Sequence, residues 1–201
     1  GKYKHIVLII KANLSFFSYE NFFLKVLLFM ADTIIYYKKE RKSHMLDGLI
    51  FDVDGTLWDS TDLVAKAWNY VLETETTLPA DVTGDLLKTL FGKPMDEICL
   101  KIFKGIPVSE HPRLGDICFQ KENQLLYQEP VPLYPQILET FQELSTRCPL
   151  FIVSNCQKGY IEALLDTTPL KPYITGHLCY GDTNCQKDVT IRRLMKQDRK
   201  S

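Results

Sequence analysis

Two carboxylates, Asp52 and Asp54, stand one residue apart at the end of the apolar run "GLIFDV", and Gly55 and Thr56 follow at once. In an extended chain the side chains at i and i+2 point the same way, with Cα atoms roughly 6.6 Å apart. Both acids therefore face one pocket at the carboxyl end of a strand, where open α/β sheets bind their ligands. Like charges held that close repel. A hard divalent cation such as Mg²⁺, which prefers oxygen ligands, would remove the repulsion. Gly55 lets the backbone leave the strand tightly, and Thr56 adds a hydroxyl beside the pocket. Turn carboxylates are common near strand ends, but D-x-D-G-T directly after an apolar strand is a much narrower pattern.

The elements that must position these acids can be read on either side of them. "GLIFDV" is a short β-branched and aromatic run, a buried strand at 48–53. "DSTDLVAKAWNYVLET" follows, with capping residues first and then Leu63, Ala67, Tyr70 and Val71 at helical spacing. Helical patterns continue through 84–91, 94–104 and 113–128, with no strand signal between them. The proline-dense "QEPVPLYP" leads back to a second block. There "PQILETFQELSTR" reads as a helix, "PLFIVSN" as a strand and "KGYIEALLD" as a helix. "GHLCYG" reads as a short strand and "KDVTIRRLMKQ" as a last helix. Strands alternating with helices predict an α/β fold, a Rossmann-like parallel sheet with helices on its faces. The predicted core is 45–59 and 130–201, and the helical stretch 60–129 is an inserted cap.

"FDVDGTLWDS" resembles the first motif of the haloacid dehalogenase superfamily, whose phosphatases carry D-x-D-G-T at the end of their first core strand. "LFIVSN" resembles the second motif, a Ser or Thr ending the next core strand. Within the superfamily, "LYPQILETFQELSTRCPLFIVSNCQKGYIEALL" is most similar to phosphoglycolate phosphatase-like enzymes with a helical cap. The resemblance implies Mg²⁺-dependent hydrolysis of a small phosphomonoester: phosphoglycolate, a nucleotide or a sugar phosphate. Asp52 would be the nucleophile that forms an aspartyl-phosphate. Asp54 would protonate the leaving oxygen and then take a proton from water. The dehalogenases lack the second Asp because a halide needs no proton, so Asp54 favours phosphoryl transfer. Asp52 and the Asp54 backbone carbonyl would hold the metal. Gly55, Thr56 and Asn155 would line the substrate's phosphate, and Ser154 would supply a hydroxyl to it.

The third motif needs a lysine at a helix start after a further strand, and Lys187 in "GDTNCQKDVTIRRLM" fits. A rival reading takes "GDTNCQKD" as the fourth motif and makes Asp182 a metal ligand, but it leaves no room for the third-motif strand and helix. With Lys187 accepted, no fourth motif appears before Ser201, and the chain reads as a piece of a longer enzyme. Two other functions stay open at this point: a phosphosugar mutase of the same superfamily, and a phosphate-binding module without turnover.

Composition narrows the partners. A net charge of −1 over 201 residues gives no reason to expect nucleic acid. The six cysteines form no C-x-x-C pair and sit mostly in apolar segments, as reduced thiols of a cytoplasmic protein do. Residues 1–44 read as an extension outside the core, with Met45 as the natural start. Within them "NFFLKVLLFMADTIIYY" is interrupted by Lys25 and Asp32, short of the roughly 18–20 uncharged residues of a membrane helix. "KKERKSH" reads as a solvated junction. Trp58 and Trp68 read as packing, Lys93 as solvated, His111 and His177 as unpartnered for a metal, and Cys156 as no nucleophile.

Overall fold

The computed structural model describes residues 7–10, 48–93 and 95–198. Its strands, among these residues, are β1 (Val7–Ile10), β2 (Gly48–Phe51), β3 (Leu150–Ser154) and β4 (Gly176–Cys179). They form one parallel sheet in the order β1-β2-β3-β4. β2 and β3 are buried at every position, which is why both read as unbroken apolar runs rather than as alternations. Side chains still alternate between faces. Leu49, Phe51, Leu150 and Ile152 face one apolar cluster, and Ile50, Phe151 and Val153 face another.

The helices are α1 (Thr61–Glu75), α2 (Gly84–Leu90), α3 (Met95–Ile102) and α4 (His111–Gln128). After the proline-rich return come α5 (Ile137–Ser145), α6 (Tyr160–Thr167), the single turn α7 (Tyr180–Thr183) and α8 (Lys187–Asp198). α5 and α6 cover the first face of the sheet through Ile137, Phe141, Ile161 and Leu164, with the Phe51 and Phe141 rings 4.4 Å apart. α8 lays Leu194 on the second face. α1 to α4 bury a separate cluster, centred on Trp68 stacked on Phe103 at 5.5 Å. These helices all lie between β2 and β3 in the chain, where an insertion is expected.

Two differences from the sequence reading concern elements. Val7–Ile10 pairs with β2, Val7 opposite Gly48 and Ile10 opposite Phe51, so this stretch of the leading segment lies in the sheet. The readings of "NFFLKVLLFMADTIIYY" and "KKERKSH" fall outside the described residues. The turn α7 carried no helical periodicity because it has only four residues. Among the described residues no helix is long and apolar enough to cross a membrane.

Candidate active site

Asp52 directly follows β2 and is 9% exposed. Its Oδ1 accepts the N–H of Val53 at 3.0 Å and stands 2.7 Å from Nζ of Lys187, the first residue of α8. Both side chains of this ion pair are largely shielded from water, so their attraction is screened far less than that of a surface pair. Packing of α8 on the sheet brings a lysine remote in sequence onto the carboxylate.

Asp54 lies in the turn that follows. Gly55 there has φ +70°, a left-handed conformation that an L side chain rarely adopts. Its N–H donates to the Trp58 carbonyl at 3.0 Å, and the N–H groups of Thr56 and Leu57 donate back to Val53. Thr56 is fully buried beneath this turn. Three side-chain donors converge on Asp54 Oδ1: Tyr160 Oη at 2.7 Å, Ser60 Oγ at 3.1 Å and Trp58 Nε1 at 3.4 Å. Burial, helped by the charge of Asp52, pushes the Asp54 carboxyl up to about 6, although the three donors pull the other way.

Ser154 ends β3, next to β2 in the sheet, and is 3% exposed. The pairing of Phe51 with Ile152 sets it level with the residue just past Asp52. Asn155 is exposed, in the loop that runs to Gly159 and α6. That loop is fastened from two sides. From the sheet side, the Gly181 N–H donates to the Cys156 carbonyl at 3.1 Å, and a Cβ on Gly181 would sit 2.1 Å from the Lys158 nitrogen. From α4, Asn123 Nδ2 donates to the Lys158 carbonyl at 2.9 Å, and Glu122 Oε2 accepts from Gln157 Nε2 at 2.8 Å.

The two readings of 181–188 thus have different geometry. Lys187 reaches Asp52. Asp182 is engaged locally, its Oδ2 accepting the Cys179 N–H at 3.0 Å and its thiol at 3.1 Å. Among the described residues no three His, Cys, Asp or Glu side chains gather as a metal-holding group.

Several residues at the site carried no sequence signal of their own. Ser60 stands at the N-cap of α1 yet makes no cap bond, because its hydroxyl is turned to Tyr160 and Asp54; Asp59 takes the Thr61 N–H instead, at 3.1 Å. Tyr160 reads as one more apolar residue of α6. Glu122 is an acid in the polar run of α4, but it is buried, 4% exposed, and also accepts the Trp68 indole N–H. Burial raises its carboxyl to about 7, against the pull of Trp68 and Gln157 and with a further push from Asp54. Trp58 packs edge-on against Tyr160 and also donates to Asp54. His111 contacts the Ile106 carbonyl at 3.2 Å. Burial and the neighbouring Cys179 drive the Cys156 thiol well up, the opposite of an activated thiolate.

The model of the haloacid dehalogenase-like hydrolases matches residues 49–200. An uncharacterized protein of Haemophilus influenzae is 26% identical over 149 residues, covering 70% of this chain and 69% of that one. Among solved structures, a Lactobacillus plantarum protein provisionally named phosphoglycolate phosphatase superposes with a TM-score of 0.62 at 21% identity. The match covers 78% of this chain and 73% of that one. CbbY of Rhodobacter sphaeroides, in complex with xylulose-1,5-bisphosphate, superposes at 0.55 and 18% identity over 75% and 73% of the two chains. At such identities these structures speak for the fold, whereas the family model reaches from β2 to the end of α8 and takes in both acids, Ser154 and Lys187. The chain belongs to the haloacid dehalogenase-like hydrolases.

Proposed function

We propose that the chain is a phosphatase that hydrolyses small phosphomonoesters through an aspartyl-phosphate on Asp52. The observation that carries this reading is the 2.7 Å ion pair between Lys187 and Asp52 at the carboxyl end of the sheet. It puts a cation beside the acid where a phosphoryl group would arrive with its negative charge. In the first step a carboxylate oxygen of Asp52 attacks phosphorus, and the ester P–O bond breaks. The departing oxygen takes the proton of Asp54. In the second step Asp54 takes a proton from water as that water attacks phosphorus, which returns Asp52 and releases phosphate. A carboxyl that titrates near 6 suits both halves. It is roughly one-tenth protonated at pH 7, enough to donate, and otherwise ready to accept. Ser154 and the backbone of Asn155 would hold the phosphoryl oxygens, with Gly55 and Thr56 shaping the near wall.

The donor set fits Mg²⁺ in part. Asp52 and the Asp54 carbonyl are hard oxygen ligands, and Mg²⁺ keeps several waters when one or two carboxylates bind it. When bound, the ion would offset charge on the phosphoryl oxygens. α1 to α4 would act as a cap over the site, with residues 60–129 as its span and 45–59 with 130–201 as the catalytic core.

The test is phosphate release from a panel of sugar, nucleoside and carboxylate-bearing phosphomonoesters in the presence of Mg²⁺. Asp52→Asn is expected to lower turnover by at least about 10³-fold with an unchanged circular dichroism spectrum. Retention of full activity in that variant would falsify the mechanism.

A further inference from the structure

Asp54 has two carboxylate oxygens, and the structure treats them unequally. Tyr160 and Trp58 direct their polar hydrogens at Oδ1, and Ser60 Oγ stands within hydrogen-bonding distance of the same oxygen. The Tyr160 hydroxyl makes the shortest of these contacts, 2.7 Å, and its oxygen lies 2.6 Å from Ser60 Oγ. Each hydroxyl has one hydrogen. With the Tyr160 proton on Asp54, the close Ser60 contact is best met by Ser60 donating to the tyrosine oxygen. That polarises Tyr160 and strengthens its bond to the carboxylate. The tyrosine ring has little freedom: it is 2% exposed, and Trp58 packs edge-on against it at 5.7 Å. Gly159, at φ +91°, lets the loop after β3 turn into α6 so that its first residue points back at Asp54.

We infer that Tyr160, braced by Ser60, is a positioning residue that pins Oδ1 of Asp54 and so presents Oδ2 to the leaving oxygen of the substrate. This rests on the phosphatase reading above and adds a residue from α6 to it. An acid held in one orientation delivers its proton without a rotamer search, and misplacement by an ångström is costly to proton transfer. Tyr160 itself touches neither phosphorus nor the leaving group.

The consequence is specific to leaving groups that need a proton. An alkoxide departs badly without one, whereas a para-nitrophenolate departs readily. The full chain, Tyr160→Phe and Ser60→Ala are compared on a sugar phosphate and on para-nitrophenyl phosphate, with kcat and KM measured separately. Tyr160→Phe, which keeps the ring and its packing, is expected to lose about 10- to 100-fold in kcat on the alkyl ester. On the aryl ester the loss should stay below about threefold, with KM little changed on either. Ser60→Ala should show the same asymmetry in weaker form. Equal losses on both esters would mean that Tyr160 only maintains the fold, and unchanged kcat would mean that Asp54 needs no anchor; either result overturns the inference. A wild-type chain that hydrolyses neither para-nitrophenyl phosphate nor any ester of the panel above defeats the phosphatase reading itself, a different outcome from an active wild type whose variants show no asymmetry.

Discussion

Lys187 and Asp52 form the ion pair on which the proposed chemistry would turn, and each constrains the other. A carboxylate as sheltered as Asp52 depends on its cation, because a buried charge without a partner is costly. Lys187→Met should therefore act twice. Turnover should fall by about 10²-fold or more, as when one donor to a developing anion is removed. Stability should drop by about 1–3 kcal/mol, the cost of stranding a shielded acceptor, read from urea denaturation. Lys187→Arg is not expected to restore activity, since a planar guanidinium cannot take the place of a compact ammonium in so close a contact. A Lys187→Met variant with normal kcat would remove the lysine from the mechanism.

At the scale of elements, the loop after β3 matters as much as the strands. Residues 155–159 carry the backbone that would meet phosphate, yet they make no strand or helix of their own. Their shape is set by the turn α7 on one side and by α4 on the other. Gly181 is the tightest point: a methyl group there would meet the Lys158 backbone nitrogen at 2.1 Å, and backbone cannot swing aside as a flexible side chain can. Gly181→Ala should push this loop away from α7 and weaken phosphate binding. The expected result is a KM raised about tenfold together with a lower melting temperature. An alanine variant with wild-type KM would show that the loop tolerates the displacement. The glycine is required here for close approach, since the positive-φ glycines are Gly55, Gly92, Gly105 and Gly159.

Across the whole molecule, the helices α1 to α4 and the sheet keep separate apolar clusters but share a polar seam. Glu122 lies on that seam, between Trp68 of α1 and Gln157 of the loop after β3. Its carboxyl, raised to about 7 by burial, and that of Asp54, raised to about 6, are protonated in the folded chain at pH values where an unfolded chain has lost those protons. The folded state then binds more protons, so stability falls as pH rises. The contribution of Glu122 is fully present below about pH 4.5 and is lost progressively up to about pH 7, for an effect on the order of 3 kcal/mol. Melting temperatures from pH 5 to 8 should decline, and Glu122→Gln should flatten that decline. Equal slopes in both proteins would show that Glu122 is better solvated than its burial suggests.

How much of this was legible beforehand follows from which interactions are local. Asp52 and Asp54 could be read as a pair because strand geometry fixes the relation of i to i+2 without help from the rest of the chain. The alternation of strands and helices, and the helical insertion after the first acid, follow from periodicity and from prolines that break it. Ser154 and Lys187 could be named because they stand where the second and third motifs of the resembled family place a hydroxyl and a lysine, at a strand end and a helix start. What needed the tertiary structure was contact between residues far apart in the chain. Periodicity could not show that Val7–Ile10 joins the sheet beside β2, because an apolar run does not name its partner strand. Nor could it show that Ser60 would leave its cap for the acid, that Tyr160 would turn inward from α6, or that Glu122 would be buried. Sequence determined which groups could do the chemistry, since local backbone geometry is written residue by residue. Packing alone decided which oxygen of Asp54 is held, because that depends on distances that only the folded chain sets.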